Sequence, residues 1–291
     1  MPNGPEGCLP DSALMKPEEI YRIASTFVDK GVNKIRITGG EPLVRKEVGE
    51  IIEALGELPV ELAITTNGMF IDRYPRLFKQ AGLNNINISL DSLKADKFKA
   101  ITLRNVLDRV MNNIEMFVEE GFHIKVNSVV TRKINDDEIM DFVEWSRKMP
   151  VHVRFIEFMP FQGNEWENEK VVAYEEILQR IKNRHPIEKL KDHLNDTAKN
   201  YRVAGGSGTF AIISSLSEPF CDTCNRMRLL ANGKMKNCLF AEEATDLLTP
   251  LRNGEPITPL IEECLRQKSY AQAGKKPGNK EQGGRMAAIG G

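Results

Sequence analysis

The sequence predicts an α/β fold built on a parallel sheet, and three observations carry that prediction. Apolar residues recur at helical spacing, short β-branched runs stand between those segments, and glycine repeatedly follows the last helical residue. Residues 14–30 place Ile20, Ile23, Ala24, Phe27 and Val28 on one stripe that stops at Gly31. Residues 34–38 then read as a strand. A helix over 45–58 precedes a strand over 61–66, and a helix over 72–81, closed by Gly82, precedes a strand over 85–90. A helix over 105–120 ends at Gly121 before a strand over 123–130, and a helix over 136–149 leads to a fifth strand over 151–158. Strands separated by helices of this length form βαβ units, and five of them make most of a partial barrel.

Beyond Pro160 the texture changes, which sets an expected division into a barrel, 1–160, and a C-terminal extension, 161–291. In the extension a helix over 174–182 is followed by strands over 201–203 and 209–213, then by a cysteine cluster. Asn232-Gly233 marks a hairpin turn, and helices follow over 243–252 and 258–267. The residues after Gly274 are rich in Gly and Lys and end in Gly290-Gly291.

The 291 residues carry 40 Lys+Arg against 41 Asp+Glu, a net charge of −1, which argues against a general nucleic-acid binder. An apolar content of 41% supplies a core and excludes dominant disorder. No apolar run approaches the ~18 residues of a membrane span, and the first residues lack the charged and apolar regions of a signal peptide. The expectation is a cytoplasmic protein with no membrane partner. Five cysteines are too few for a secreted disulfide framework, and three of them cluster.

In parallel α/β architectures the reactive groups sit at the C-terminal ends of strands. Here those ends carry Gly39-Gly40-Glu41-Pro42, Thr65-Thr66-Asn67-Gly68, Ser89-Leu90-Asp91-Ser92, Val130-Thr131-Arg132 and Glu157-Phe158-Met159-Pro160. The glycine pair lets backbone N–H groups approach a ligand, and Glu41 could accept from an amino group. Cys221, Cys224 and Cys238 form a C-x2-C-x13-C pattern, which suits a structural zinc with a fourth ligand elsewhere or a [4Fe–4S] cluster with one iron open. Spacing alone favours zinc. Between them, Arg226 and Arg228 alternate, as residues on one strand face do, and paired guanidiniums suit phosphate or carboxylate. Lys34 with Arg36 and Lys125 with Asn127 are similar pairs on barrel strands, where inward charge is costly unless a ligand uses it. An anionic substrate follows. His152 and His185 read as structural.

Together these segments resemble the radical S-adenosylmethionine enzymes, in their molybdenum-cofactor branch. The matching text is Lys34-Ile35-Arg36-Ile37-Thr38-Gly39-Gly40-Glu41-Pro42, Thr65-Thr66-Asn67-Gly68, Asn87-Ile88-Ser89-Leu90-Asp91, Lys125-Val126-Asn127, Arg154 through Met159, the cysteine and arginine cluster, and Ile289-Gly290-Gly291. The resemblance implies a partial (βα)6 TIM-type barrel, its first strand missing here, with a C-terminal α+β extension carrying an iron–sulfur site of three cysteines. It implies a [4Fe–4S] cluster on Cys221, Cys224 and Cys238, which replaces zinc, and S-adenosyl-L-methionine held by Gly39, Gly40, Glu41, Ser89 and Met159. It implies GTP as substrate, lined by Arg36, Thr65, Lys125, Arg226, Met227 and Arg228, with Lys34 and Arg154 as further phosphate partners. Arg226, Arg228, Gly290 and Gly291 take the catalytic roles, the glycine tail entering the site. The implied reaction starts from reductive cleavage of S-adenosylmethionine at a second, N-terminal cluster; the ribose of GTP then loses its 3′-hydrogen and joins C8 of guanine. The product is expected to pass to cyclic pyranopterin monophosphate synthase, from a monomer or homodimer supplied by an electron donor.

One departure stands out. The family binds its N-terminal cluster through C-x3-C-x2-C ending just before Met-Pro, whereas this sequence begins Met1-Pro2, and Cys8 is alone. The expectation is that Met1 is an internal methionine or that the chain is a fragment. The rival readings are a shortened GTP- or metal-binding homologue without turnover, and a zinc-stabilised barrel.

Overall fold

The computed structural model describes residues 9–161 and 164–268. Cys8, Gly290 and Gly291 lie outside the described residues. The first half runs α1 (Pro17–Asp29), β1 (Lys34–Ile37), α2 (Val48–Gly56), β2 (Glu61–Thr66), α3 (Pro75–Gln80), β3 (Asn85–Ser89), α4 (Ala95–Thr102), α5 (Leu107–Glu119), β4 (His123–Val130), α6 (Ile139–Lys148) and β5 (His152–Glu157). Then come α7 (Tyr174–Lys182), β6 (Ile187–Lys189), β7 (Lys199–Val203) and β8 (Thr209–Ile213). The last elements are β9 (Arg228–Leu229), β10 (Lys234–Lys236), β11 (Thr245–Asp246), α8 (Leu248–Arg252) and α9 (Thr258–Arg266).

One eight-stranded sheet has the order β1-β2-β3-β4-β5-β8-β7-β6. Strands β1 to β5 and β8 are mutually parallel, and β7 and β6 close the far edge antiparallel. The extension therefore contributes β8 as the sixth parallel strand of the barrel sheet. Gly208 makes that junction possible. Its amide donates to Ser146 O, and a Cβ there would lie 2.3 Å from Val151 O, so only glycine lets β8 come in beside β5.

Register sorts the side chains. Cα partners across a sheet share a face, so Ile64, Ile86, Val126, Val153 and Phe210 point to the helices and form the main core. The opposite, inner face carries Arg36, Asn87, Lys125, Asn127 and Arg154. A barrel strand that alternates in this way needs something polar in its interior.

A second core lies between α1 and the extension. Met15 and Ile23 pack with Met235, Leu247, Leu251, Ile261 and Cys264, while Ala24 of the same helix belongs to the main core. Glu19 accepts from Arg252 at 2.7 and 3.0 Å across this junction, and Met15 N donates to Ala231 O. The extension is thus stitched to the first helix, beside the sheet's β1 edge.

Three local expectations are corrected. Periodicity does not predict helix α4 or strand β6; α4 buries a single residue, Phe98, which leaves almost no apolar stripe to read. The helix expected over 243–252 is instead β11 followed by the short α8. Thr245 and Asp246 pair with β10, and the Asp246 carboxylate accepts from Leu248 and Thr249 N, so the helix starts only after it. No helix among the described residues is long and apolar enough to cross a membrane.

Candidate active site

A cavity of about 2770 Å³ runs from the inner face of the sheet and the β9–β10 hairpin round the β1 edge to α1 and α2. Its lining includes Lys34, Arg36, Gly39, Gly40, Glu41, Lys125, Arg154, Arg226, Met227 and Arg228. Thr65, Ser89, Met159 and the three cysteines are not part of that lining, although Ser89 lies on the inner face as the register partner of Asn127.

The hairpin is fixed by local rules. Asn232-Gly233 makes the turn with Gly233 at a φ of 72°, and a Cβ there would press into Leu248. Alternation then separates the strand's two sides. Met227 and Leu229 pack on the second core, and Arg226 and Arg228 point the other way. Met227, expected to line the nucleotide site, is part of the cavity lining and packs on the second core as well.

The cations converge. Burial, with Arg36 beside it, pulls the Arg154 guanidinium down to about 9. Burial and then Arg154, Lys34 and Arg36 pull Lys125 to about 8. Arg228 is lowered to about 10 by burial, Arg226 and Arg36. Arg36 keeps exposed surface inside the cavity, yet the enclosing walls and Arg226 lower it too. Burial leads each of these shifts and the neighbouring cations add to it, so positive charge is crowded along this wall, which a multiply charged anion relieves. His152, hydrogen-bonded through Nδ1 to Thr209 Oγ1 at 2.7 Å, is driven to about 3 by burial, Arg154 and Lys125, and stays neutral.

Polar side chains tie these cations together. Arg154 Nη2 donates to Asn87 Oδ1 at 2.8 Å, and Asn87 Nδ2 donates to Thr65 Oγ1 at 3.2 Å. Arg154 Nε and Asn127 Oδ1, on register-paired positions, are buried with no hydrogen-bond partner among the described residues. A buried donor and acceptor left open on one wall suit a ligand with both acceptors and donors, as a nucleotide has. Sequence reasoning missed Asn87 and its bonding role. The signal was its period-two position between Asn85 and Ser89.

The Gly39-Gly40-Glu41-Pro42 turn is held by its own acid. Glu41 Oε1 accepts from Leu43 N at 3.1 Å and Thr66 Oγ1 at 2.7 Å, while Oε2 accepts from Asn67 N at 2.7 Å. Where an amino-group partner was expected, Glu41 instead clamps the loop after β1 to the loop after β2.

Cys221 and Cys224 share one 3₁₀ turn, with Cys224 N donating to Cys221 O at 3.1 Å. Cys238 follows β10 in an apolar cluster with Met159, Phe161 and Phe240, and the two phenylalanine rings stack 5.6 Å apart. Among the described residues no three His, Cys, Asp or Glu side chains are gathered closely enough to hold a metal ion. The donor chemistry still fits: Arg226 Nη2 lies 3.6 Å from Cys224 Sγ, and although burial opposes it, this cation draws the thiol below its ordinary value. Arg226 also stacks on Phe220 at 4.9 Å.

A sheet of six parallel strands whose polar face gathers cations, with a thiol-bearing hairpin against its edge, defines a partial TIM-type α/β barrel with a cation-lined interior. Sequence comparison narrows this. Residues 8–146 match the Radical SAM superfamily model and residues 151–274 match Molybdenum Cofactor Synthesis C. The mitochondrial GTP 3′,8-cyclase of Arabidopsis thaliana is 46% identical over 94% of this chain and 72% of its own length. The GTP 3′,8-cyclase of Moorella thermoacetica is 41% identical over 85% of this chain and 78% of its own. Molybdenum cofactor biosynthesis protein 1 of Drosophila melanogaster is 44% identical over 92% of this chain, which spans 49% of that relative's length. The chain belongs to the radical SAM family of molybdenum cofactor biosynthesis proteins that these relatives represent.

Proposed function

We propose that the protein is a GTP 3′,8-cyclase, acting in the first step of molybdenum cofactor biosynthesis. The observation that carries the reading is the gathering of Arg36, Lys125 and Arg154 on the inner face, joined in one cavity by Arg226 and Arg228 from the hairpin. A triphosphate brings about four negative charges to that cluster, which its guanidinium and ammonium groups meet with charge-assisted bonds. Lys34, Arg36, Lys125 and Arg154 take the phosphates and sugar, with Asn87 and Thr65 orienting Arg154. Arg226 and Arg228 face the same nucleotide from the hairpin, and Met227 between them lines the same cavity.

Cys221, Cys224 and Cys238 would hold an iron–sulfur cluster facing the nucleotide, and S-adenosylmethionine would lie by Gly39-Gly40, Ser89 and Met159, where it would supply the radical chemistry on cleavage at a second cluster. The chain's own work is geometric. Glu41 fixes the glycine turn, the backbone N–H groups of that turn meet a carboxylate, and the stacked Phe161 and Phe240 keep water from Cys238. The Gly290-Gly291 tail is assigned to the same site, where an end without side chains reaches past bulkier neighbours. The product would then pass to cyclic pyranopterin monophosphate synthase.

The test is anaerobic reconstitution followed by calorimetry and metal analysis. Binding of GTP far above guanosine, with roughly four iron and four sulfide on the C-terminal cysteines, supports the reading; zinc alone, or no preference for the triphosphate, overturns it.

A further inference from the structure

The inward positions of the parallel strands carry the cations Lys34, Arg36, Lys125 and Arg154, and among the described residues a single carboxylate shares that face, Glu61. Glu61 opens β2 directly opposite Lys34 on β1, and its Oε1 accepts from Lys34 Nζ at 2.6 Å. Asn85, opening β3, donates Nδ2 to the same oxygen at 3.0 Å and so holds the carboxylate in place. Its field also reaches Arg36 and Lys125, where it works against the depression that their neighbours cause. An acid at this point is unfavourable to any phosphate entering the face, and sequence spacing gives it no catalytic pattern. Its geometry matches one role: it stands where a phosphate oxygen would stand.

We infer that Glu61 is a resident counter-anion of the phosphate-binding lysine, displaced from Lys34 when a polyphosphate enters. This rests on the reading of the site as a nucleotide triphosphate site. Both side chains of the pair keep substantial exposure, 38% for Lys34 and 47% for Glu61, so the bond is weak enough to exchange. A triphosphate, with several charges spread along a chain, outcompetes one carboxylate. A weak monoanion does not, so Glu61 sets a lower limit on the charge of the ligand that can recruit Lys34.

The experiment is calorimetry on the anaerobically reconstituted full chain with GTP, inorganic tripolyphosphate and guanosine. Glu61→Gln keeps an oxygen for Asn85 and removes only the charge, and a thermal melt of the variant controls for folding. The expected result is that GTP and tripolyphosphate bind about five-fold tighter to Glu61→Gln, with guanosine unchanged. In the Lys34→Gln background the same change brings much less, because the lysine it would release is gone. Unchanged or weaker triphosphate binding in Glu61→Gln overturns the inference while leaving the nucleotide site standing. A wild-type chain that binds GTP no better than guanosine overturns the nucleotide reading itself, and the inference with it.

Discussion

At the scale of single residues, the cavity's chemistry depends on cations that the fold holds against their own repulsion. Lys125 is the clearest case, because its free-state value of about 8 lies below the ordinary lysine value. A bound polyphosphate raises it again, so binding takes up a proton. Affinity is then fully present below pH 8 and falls as the pH rises from about 8 toward about 10, a trend that titration calorimetry across that range reads directly. Lys125→Met is expected to bind more weakly and to lose the trend; a wild-type affinity that stays flat across that range refutes this assignment. Arg228 makes a second test. Arg228→Ala removes a charge-assisted contact and weakens GTP binding by about 1.5–3 kcal/mol, while an unchanged dissociation constant takes Arg228 out of the site. Arg36 and Lys125 were legible in sequence because charge at alternate strand positions is unusual, whereas Arg154 came only with the family resemblance. Asn87 and Glu61 were not legible, because a neutral amide and a lone acid on a strand have many surface explanations.

At the scale of elements, the loops at the strand ends are fixed by buried carboxylates that the sequence did not single out. Glu157, fully buried at the end of β5, accepts from Tyr174 N at 3.0 Å, Leu216 N at 2.8 Å and Ser217 N at 3.0 Å, and from the Ser217 hydroxyl. It thereby anchors both the start of α7 and the loop that runs from β8 to the Cys221 turn. Glu157→Gln sets an amide N–H against backbone N–H groups, and the chain is expected to lose about 2–3 kcal/mol in chemical denaturation. No change in the denaturation midpoint refutes that anchoring role. Glu138 does similar work after β3, accepting from Ser92 Oγ at 2.9 Å and Leu93 N at 2.8 Å. Strand and helix positions follow from periodicity, whereas the partner of a buried acid lies dozens of residues away and has no periodic signature.

At the scale of the whole molecule, the last part of the extension, from β10 to α9, is held on the barrel through α1. Glu19, largely buried, is kept below the ordinary carboxylate range chiefly by its hydrogen bonds to Arg252, against the opposing cost of burial. A depressed carboxylate contributes stability above its unfolded value and loses it as the pH falls through the folded one. Acidification below the normal glutamate range is therefore expected to loosen the extension before the barrel, which hydrogen exchange of α8 and α9 against β2 to β4 measures. Glu19→Gln is expected to show the faster exchange already at neutral pH. Equal protection of both regions throughout the acid titration refutes the hinge at Glu19.

What the sequence determined by itself is the periodic part. Alternating charged and apolar residues could satisfy both an apolar helix layer and a polar interior only as parallel strands, and Asn232-Gly233 marked the hairpin, because these signals are local. Tertiary structure alone decided that β8, far along the chain, becomes the sixth parallel strand, and that Glu41 is spent on the neighbouring loop. It alone set Glu61 against Lys34. Each of these is a contact between segments that are distant in sequence, and register and closure, not composition, choose which side chains meet.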